Sequence, residues 1–523
     1  MKWARHDFGF FMLTDGTTMN RLLRRTLQGS IILFNSIKPQ QTQSKVKCQP
    51  AKLQQRVMSC DKCFVFTEGY IEIVTRLRKC HLIYGFEHGA PTEPAILAKL
   101  FAWDGIRTVL SIHLSAMKDP ISFDNTEIAF APKTAKELQG AQFLFSMMGK
   151  PLLVKLGTRL APWSIKVGLP VKGLIRKTIF KQFVGGETLE EIIPVAKTLG
   201  EYNVQVILDY GVEGAEGETA YDHARDEFIR VIQFAGTQPN VPFMSVKVTG
   251  FARFSLLEKL DSLMHDAPED SLIKKYNRAI LLLTADEVNE WQRVQERFRK
   301  ICEAATASNV GVLVDAEETW IQDPVDAVTM LMMDEYNKVK ILLYNTIQLY
   351  RHDRLDFLKK SYEAALERDF ILGAKLVRGA YMEKERKRAA EKNYLSPIQP
   401  TKESSDKDYN EAVRFCIDHL ENIGLIVASH NENSNLLATQ LLQERGYALD
   451  HPHVHFSQLY GMSDNITFNL AKAGCSVSKY LPFGPIKDVV PYLMRRAQEN
   501  TSVGGQTGRE LGLIKKELKR RKV

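Results

Sequence analysis

Polar groups that could do chemistry recur beyond residue 240 of this 523-residue chain, most of them closing a short apolar run. They are Lys247, Asp315 with Glu317, Gln348, Lys375 with Arg378-Gly379-Ala380-Tyr381, His430-Asn431, Leu459-Tyr460-Gly461, Tyr480, and Arg495-Arg496-x-x-Glu499. A lysine beside a carboxylate is the equipment of Schiff-base chemistry, with Lys375 or Lys247 as nucleophile and Asp315 as acid/base. Paired arginines match the two oxygens of a carboxylate or a phosphate. Read as opening a helix, Arg495 and Arg496 oppose its dipole and call for an anion close by. Plainer roles stay open for each. Asp315 could cap or salt-bridge within the fold, His430 could be a satisfied buried histidine, and the arginines a solvated helix start. His451, His453 and His455 invite a metal, but strand alternation sets 453 and 455 on one face at the start of a strand. No metal site is assigned there.

The elements that must position these groups are legible as a regular alternation beyond residue 185. Strand candidates are 204–209, 243–249, 310–315, 341–344, 374–377, 425–429, 454–457 and 475–480. Helical segments such as 222–235, 287–304, 354–368 and 432–445 separate most of them. Alternating βα units imply a parallel sheet with right-handed crossovers. Eight strands in about 280 residues predict an α/β fold, a (βα)8 TIM-like barrel, with chemistry at the carboxyl ends of its strands. The interval 251–308 exceeds one crossover and predicts extra helices. Gly211-x2-Gly214-x2-Gly217 has the wrong spacing for a dinucleotide fingerprint, and no GxxxxGK[ST] occurs. Ahead of the barrel, 134–148, 150–160 and 171–180 carry helical periodicity and predict a helical arm.

The net charge of +8 is unevenly spread. Residues 1–116 hold 16 Lys+Arg against 8 Asp+Glu, the tail from Arg509 holds 7 against 2, and 117–508 is mildly acidic. A polyanion-binding surface on the main body is therefore disfavoured, and no nucleic acid is expected as its partner. Cys60-x2-Cys63 with Cys80-His81 lacks the second pair of a zinc site. The odd cysteine count and wide spacing suit reduced thiols. No run of about 18 apolar residues exists to span a membrane. The expected division is a basic, poorly ordered extension over 1–116, a helical arm over 117–185, the barrel over 186–508 and a basic tail over 509–523. The extension reads either as a transit segment, with Arg21, Arg24 and Arg25 in an acid-poor start, or as translation upstream of Met117. The tail reads as a solvated helix end, or as a contact with an anionic membrane surface.

Six segments resemble the signature blocks of the proline dehydrogenase family: 375–381 (KLVRGAY), 314–317 (VDAE), 428–431 (ASHN), 459–462 (LYGM), 480–484 (YLPFG) and 492–500 (YLMRRAQEN). The likeness runs from about 120 to 510. It implies an FAD flavoprotein, an oxidoreductase of proline catabolism that oxidises L-proline to Δ1-pyrroline-5-carboxylate and passes electrons to a membrane quinone. It also implies a distorted barrel holding FAD at the strand ends without a Rossmann domain. By resemblance, Arg495 and Arg496 pair with the proline carboxylate, assisted by Lys247, while Tyr480 and Leu459 wall the ring. Asp315 supports the ion network, and Lys375 stands near the flavin where many bacterial members have Arg, as in the mitochondrial-type branch. Ala316, Gln348, Val377, Arg378, Gly379, Ala380, Ser429 and His430 match flavin contacts, Thr401 matches less closely, and Glu499 matches an ordering ion pair. The location implied is peripheral to the bacterial inner membrane from the cytoplasm or, alternatively, the mitochondrial inner membrane or matrix. A barrel without catalysis, recruited to membrane or nucleic acid through its basic ends, is a third reading beside the dehydrogenase and the lyase.

Overall fold

The computed structural model describes residues 121–150, 154–155, 172–211, 216–502 and 506–523. The expectations for 1–116, including Cys60, Cys63, Cys80 and His81, lie outside the described residues, as does most of the expected 150–160 helix.

Eight parallel strands close into a barrel in simple sequence order: β1 Gln205–Tyr210, β2 Phe243–Val246, β3 Gly311–Val314, β4 Leu343–Gln348, β5 Leu372–Val377, β6 Ile423–Ala428, β7 Val454–Leu459 and β8 Val477–Phe483. Closure is made by β8 on β1, with Ile207 beside Tyr480. All eight strands lie where the apolar runs predicted them, displaced at the ends. The largest displacement is β4, which runs on through Asn345-Thr346-Ile347-Gln348 rather than stopping at Tyr344. Thr346 there is held inside the barrel by its hydroxyl donating to Val314 O at 2.7 Å. The interval between β2 and β3 holds three helices, Phe254–His265, Leu272–Ile280 and Ala285–Ser308, as its length required.

Strand alternation turns every second side chain into the barrel. At the amino-terminal end, Phe243 packs edge-on against Tyr344 at 5.7 Å and His455 at 5.0 Å. Gly311 makes room for this: a Cβ there would lie 2.5 Å from the Phe243 ring. Above it, Ile207, Leu313 and Ile426 fill the middle. Only then do charged groups begin. His455 thus belongs to the packed end, buried and 2.5 Å from Ser478 Oγ, and no group of residues able to hold a metal occurs among the described residues.

A second core sits against the barrel. Thr134 and Glu137 form a reciprocal capping box that starts the helix Ala135–Met148. That helix buries Leu138, Ala141, Phe145 and Met148 together with Val489, Leu493 and Ala497 of the helix Ile486–Ser502 and Leu513, Ile514 and Leu518 of the C-terminal helix Gln506–Arg520. The tail is therefore docked rather than a solvated end, because its apolar residues fall three and four apart. Its cations are largely engaged within the chain: Arg509 with Asp124 and Glu432, Lys516 with Asp124 O, Arg520 with Glu127 and Glu517, and Arg521 with the carbonyls of Phe130 and Lys133.

Candidate active site

The polar layer begins where β1, β2, β3 and β5 end. Asp315 follows β3, and its Oδ1 accepts from Lys375 of β5 at 2.5 Å. Its Oδ2 accepts from the Tyr480 hydroxyl of β8 at 2.7 Å and lies 3.4 Å from Lys247 Nζ, which is 3.4 Å from Asp209 Oδ1 at the end of β1. Two carboxylates and two ammonium groups thus alternate around one end of the barrel, so the desolvated array is neutral as a whole. Burial alone would raise the Asp315 carboxyl, but Lys375 and Lys247 outweigh it and hold it well below the usual carboxylate range. Burial, with Asp209 and Asp315, pushes the Tyr480 hydroxyl well above its ordinary value. Neither group changes charge near neutrality, so the array works by fixed charge and position. A Schiff-base nucleophile needs an unengaged amine; Lys375 and Lys247 are instead held against Asp315 and Asp209, which disfavours the lyase reading.

The wall beside Tyr480 is set by strand register. Leu459 of β7 is its pairing neighbour on β8, so the two side chains stand at one level. Gly461 follows at φ 78°, and a Cβ there would fall 1.9 Å from Gln182 O. Only glycine lets the turn pass that close to the arm.

Arg495 and Arg496 do not open a helix as the sequence suggested. They sit in its third turn, because the helix starts at Ile486, with Val489, Val490, Leu493 and Ala497 carrying its buried face through Pro491. The dipole argument for an anion therefore lapses, and position replaces it. Arg495 lies over the Tyr381 ring at 6.0 Å, and the Tyr381 hydroxyl feels both Arg495 and Lys247. Arg496 is buried and lies over the Tyr492 ring at 5.3 Å. The helix thus brings two guanidinium groups toward the strand ends. Glu499 lies one turn further along; its side chain is outside the described residues.

A second group of predicted residues gathers at β4, β5 and β6. Gln348 ends β4 beside Val377, donates through Nε2 to Glu317 O at 2.8 Å, and leaves its buried Oε1 without a hydrogen-bond partner among the described residues. Arg378 is held by Asp406 at 2.6 Å, Ser429 Oγ at 2.8 Å and Ser434 Oγ at 3.0 Å, with its guanidinium 4.3 Å from the Tyr409 ring centre. Gly379 has φ 142°, and a Cβ there would strike the Tyr350 ring at 2.4 Å. Gly379 and Ala380 are exposed and Ala316 is half-buried. His430 meets Ser463 Oγ at 2.9 Å, and burial, reinforced by Lys479, Arg496 and Arg378, holds its pKa down to about 3, so the ring is neutral. Thr401 stands apart, exposed and capping the helix Lys402–Asp418 by accepting from the Ser404 N–H. The orphaned Gln348 oxygen, the bare Gly379 and the immobilised Arg378 suit a large planar group with its own N–H donors, as a flavin has.

Sequence reading missed three participants. Asp209 closes the apolar run of β1 and carried the same signal as Asp315. Ser463 and Glu510 carried none, since their partners lie 33 and 47 residues away.

Fold and site together define a (βα)8 barrel with its charged array at the carboxyl ends of the strands, the arrangement of barrel enzymes. The chain belongs to the proline dehydrogenase family, whose sequence model matches residues 192–509. It is 34% identical over 387 residues to the mitochondrial proline dehydrogenase 1 of Dictyostelium discoideum, covering 68% of this chain and 67% of that one. It is 33% identical over 422 residues to the hydroxyproline dehydrogenase of Xenopus laevis, covering 75% and 88%. Among solved structures, proline utilization A from Bdellovibrio bacteriovorus, inactivated by N-propargylglycine, shares the fold, with a TM-score of 0.56 at 17% identity. The match covers 73% of this chain and 42% of that one.

Proposed function

We propose that this chain oxidises L-proline to Δ1-pyrroline-5-carboxylate with FAD as cofactor and a membrane quinone as final acceptor. The observation that carries the reading is the Arg495 guanidinium over the Tyr381 ring, which follows β5, at the barrel end where Tyr480, Leu459, Lys247 and Asp315 meet. An amino acid with one carboxylate and one saturated ring presents matching surfaces. The Schiff-base lyase reading is set aside for the pairing of both lysines.

In this account Arg495 and Arg496 take the carboxylate, with Lys247 adding charge on the same side. Leu459 and Tyr480 hold the ring in a single orientation, so that little motion separates the bound state from the reacting one. Asp315 does not move a proton. It fixes the Tyr480 hydroxyl and the Lys375 ammonium, which adds positive charge where electron density accumulates. Bound flavin supplies the acceptor for the hydride leaving C5. Its holders are Gln348, Val377, Arg378, Gly379, Ala380, Ser429, His430 and Ala316, with Thr401 and Glu499 as outer supports. None of these side chains is placed as a general base, so the proline nitrogen gives its proton to solvent, and activity rises with pH.

We assign both sites to 186–508, with 117–185 and 509–523 as supports and 1–116 outside the catalytic part. Among the described residues no helix is long and apolar enough to cross a membrane, so contact with the quinone pool is taken to be peripheral. The relatives named mitochondrial favour the mitochondrial inner membrane or matrix over a bacterial location. The test is steady-state oxidation of L-proline with a soluble quinone analogue. Turnover that depends on added or bound FAD supports the reading, and turnover without any flavin refutes it.

A further inference from the structure

The turn after β7 joins the barrel mouth to distant parts of the chain. It follows Leu459 directly and reaches His430 through Ser463. It is gripped three times. The Ser463 N–H donates to Glu510 Oε2 of the C-terminal helix at 3.0 Å. Lys479 Nζ donates to Met462 O at 2.5 Å. Asp464 bridges Lys479 at 2.8 Å and Lys133 of the arm at 2.7 Å. Ser463 itself has φ 51°, a left-handed conformation that costs a serine about 1 kcal/mol. It occupies the N-cap of the helix Asp464–Ala473, yet its side chain makes no capping bond. The hydroxyl is turned to His430 instead, and the strained backbone needs an external hold.

We propose that Glu510 is a positioning residue for the cofactor site: by accepting from the Ser463 N–H it fixes the turn that presents the Ser463 hydroxyl to His430. This rests on the reading of His430 as a cofactor contact. With Ser463 fixed, Nδ1 of His430 is committed to the hydroxyl, which orients the ring and leaves Nε2 for the cofactor. Glu510 is buried. It comes from a helix that touches neither substrate nor cofactor in this account, so the docked tail acts on the site through one hydrogen-bonded chain. Sequence separation hides the link, since Glu510 lies 80 residues beyond His430.

The experiment is a double-mutant cycle on FAD affinity in the full chain, paired with nitrogen NMR of histidine-labelled protein with FAD removed. The His430 signals are assigned by their loss in His430→Gln. Glu510→Ala and Ser463→Ala should each weaken FAD binding about fivefold to tenfold, and the double variant by no more than either alone. Glu510→Gln, which still accepts a hydrogen bond, should bind FAD within about twofold of the parent. In flavin-free protein, Glu510→Ala should shift the His430 ring-nitrogen signals and Glu510→Gln should not. Multiplying losses in the double variant, a Gln variant as weak as Ala, or unmoved His430 signals in Glu510→Ala would each overturn the proposal. A parent that binds no FAD, with His430 signals still answering to Glu510, would instead fault the cofactor reading and leave the positioning chain standing.

Discussion

The Tyr480 hydroxyl donates to Asp315 Oδ2 at 2.7 Å across the barrel, from β8 to β3. One carboxylate thereby orders a substrate-wall residue and, through its other oxygen, the ammonium of Lys375. Position on both sides of the mouth depends on a single side chain. Asp315→Asn should keep the shape but leave Lys247 and Lys375 under-compensated, at a cost of about 3–5 kcal/mol of stability. Turnover should fall with it. Denaturant titration of parent and variant checks the first effect. Because the folded carboxyl lies below its unfolded value, the stabilisation is present above about pH 4 and is lost as pH falls below that.

Arg496→Ala should raise the KM for proline about 100-fold, the loss expected when one member of a buried charge pair is removed. Turnover at saturating proline should change far less. Steady-state kinetics separates the two, and an unchanged KM would remove Arg496 from the carboxylate site.

Acid sensitivity should come in part from two buried imidazoles. His430 and His455 are both held down to about 3, chiefly by burial, whereas an unfolded chain protonates them near 6.5. The unfolded state therefore binds more protons between those values, and stability is present above about pH 6.5 and lost progressively below it. Each group contributes up to about 1.4 kcal/mol per pH unit. His455→Gln should flatten the fall between pH 6.5 and 5, as measured by urea unfolding. An unchanged slope would mean that His455 takes up its proton in the folded state too.

The tail contributes to stability by packing. Ile514, 1% exposed in the second core, should cost about 2–4 kcal/mol when changed to Ala. A calorimetric shift near zero would show that the C-terminal helix is not docked in solution.

Much of this was legible from residue order, and the exceptions have physical causes. Strands of a barrel are buried on both faces and read as short apolar runs, so all eight stood out. The groups toward their carboxyl ends, Asp315, Lys375 and Tyr480, stood out by polarity alone. The arginine helix was placed too late: it starts at Ile486, well before Arg495, and continues through Pro491 in its second turn. Lys479 alternates with Tyr480 on β8, and nothing local in the sequence pairs it with Asp464. The same holds for Glu510: contacts between elements far apart in sequence are created by the fold and leave no periodic trace.

The central claim, proline oxidation by a flavin held at these strand ends, is tested most directly by anaerobic titration of the purified full chain with L-proline under a spectrometer. The account predicts a yellow protein whose flavin absorbance bleaches in proportion to proline added, with Δ1-pyrroline-5-carboxylate as product. A flavin-loaded protein whose spectrum proline leaves unchanged, or a colourless protein that takes up no FAD, would contradict it.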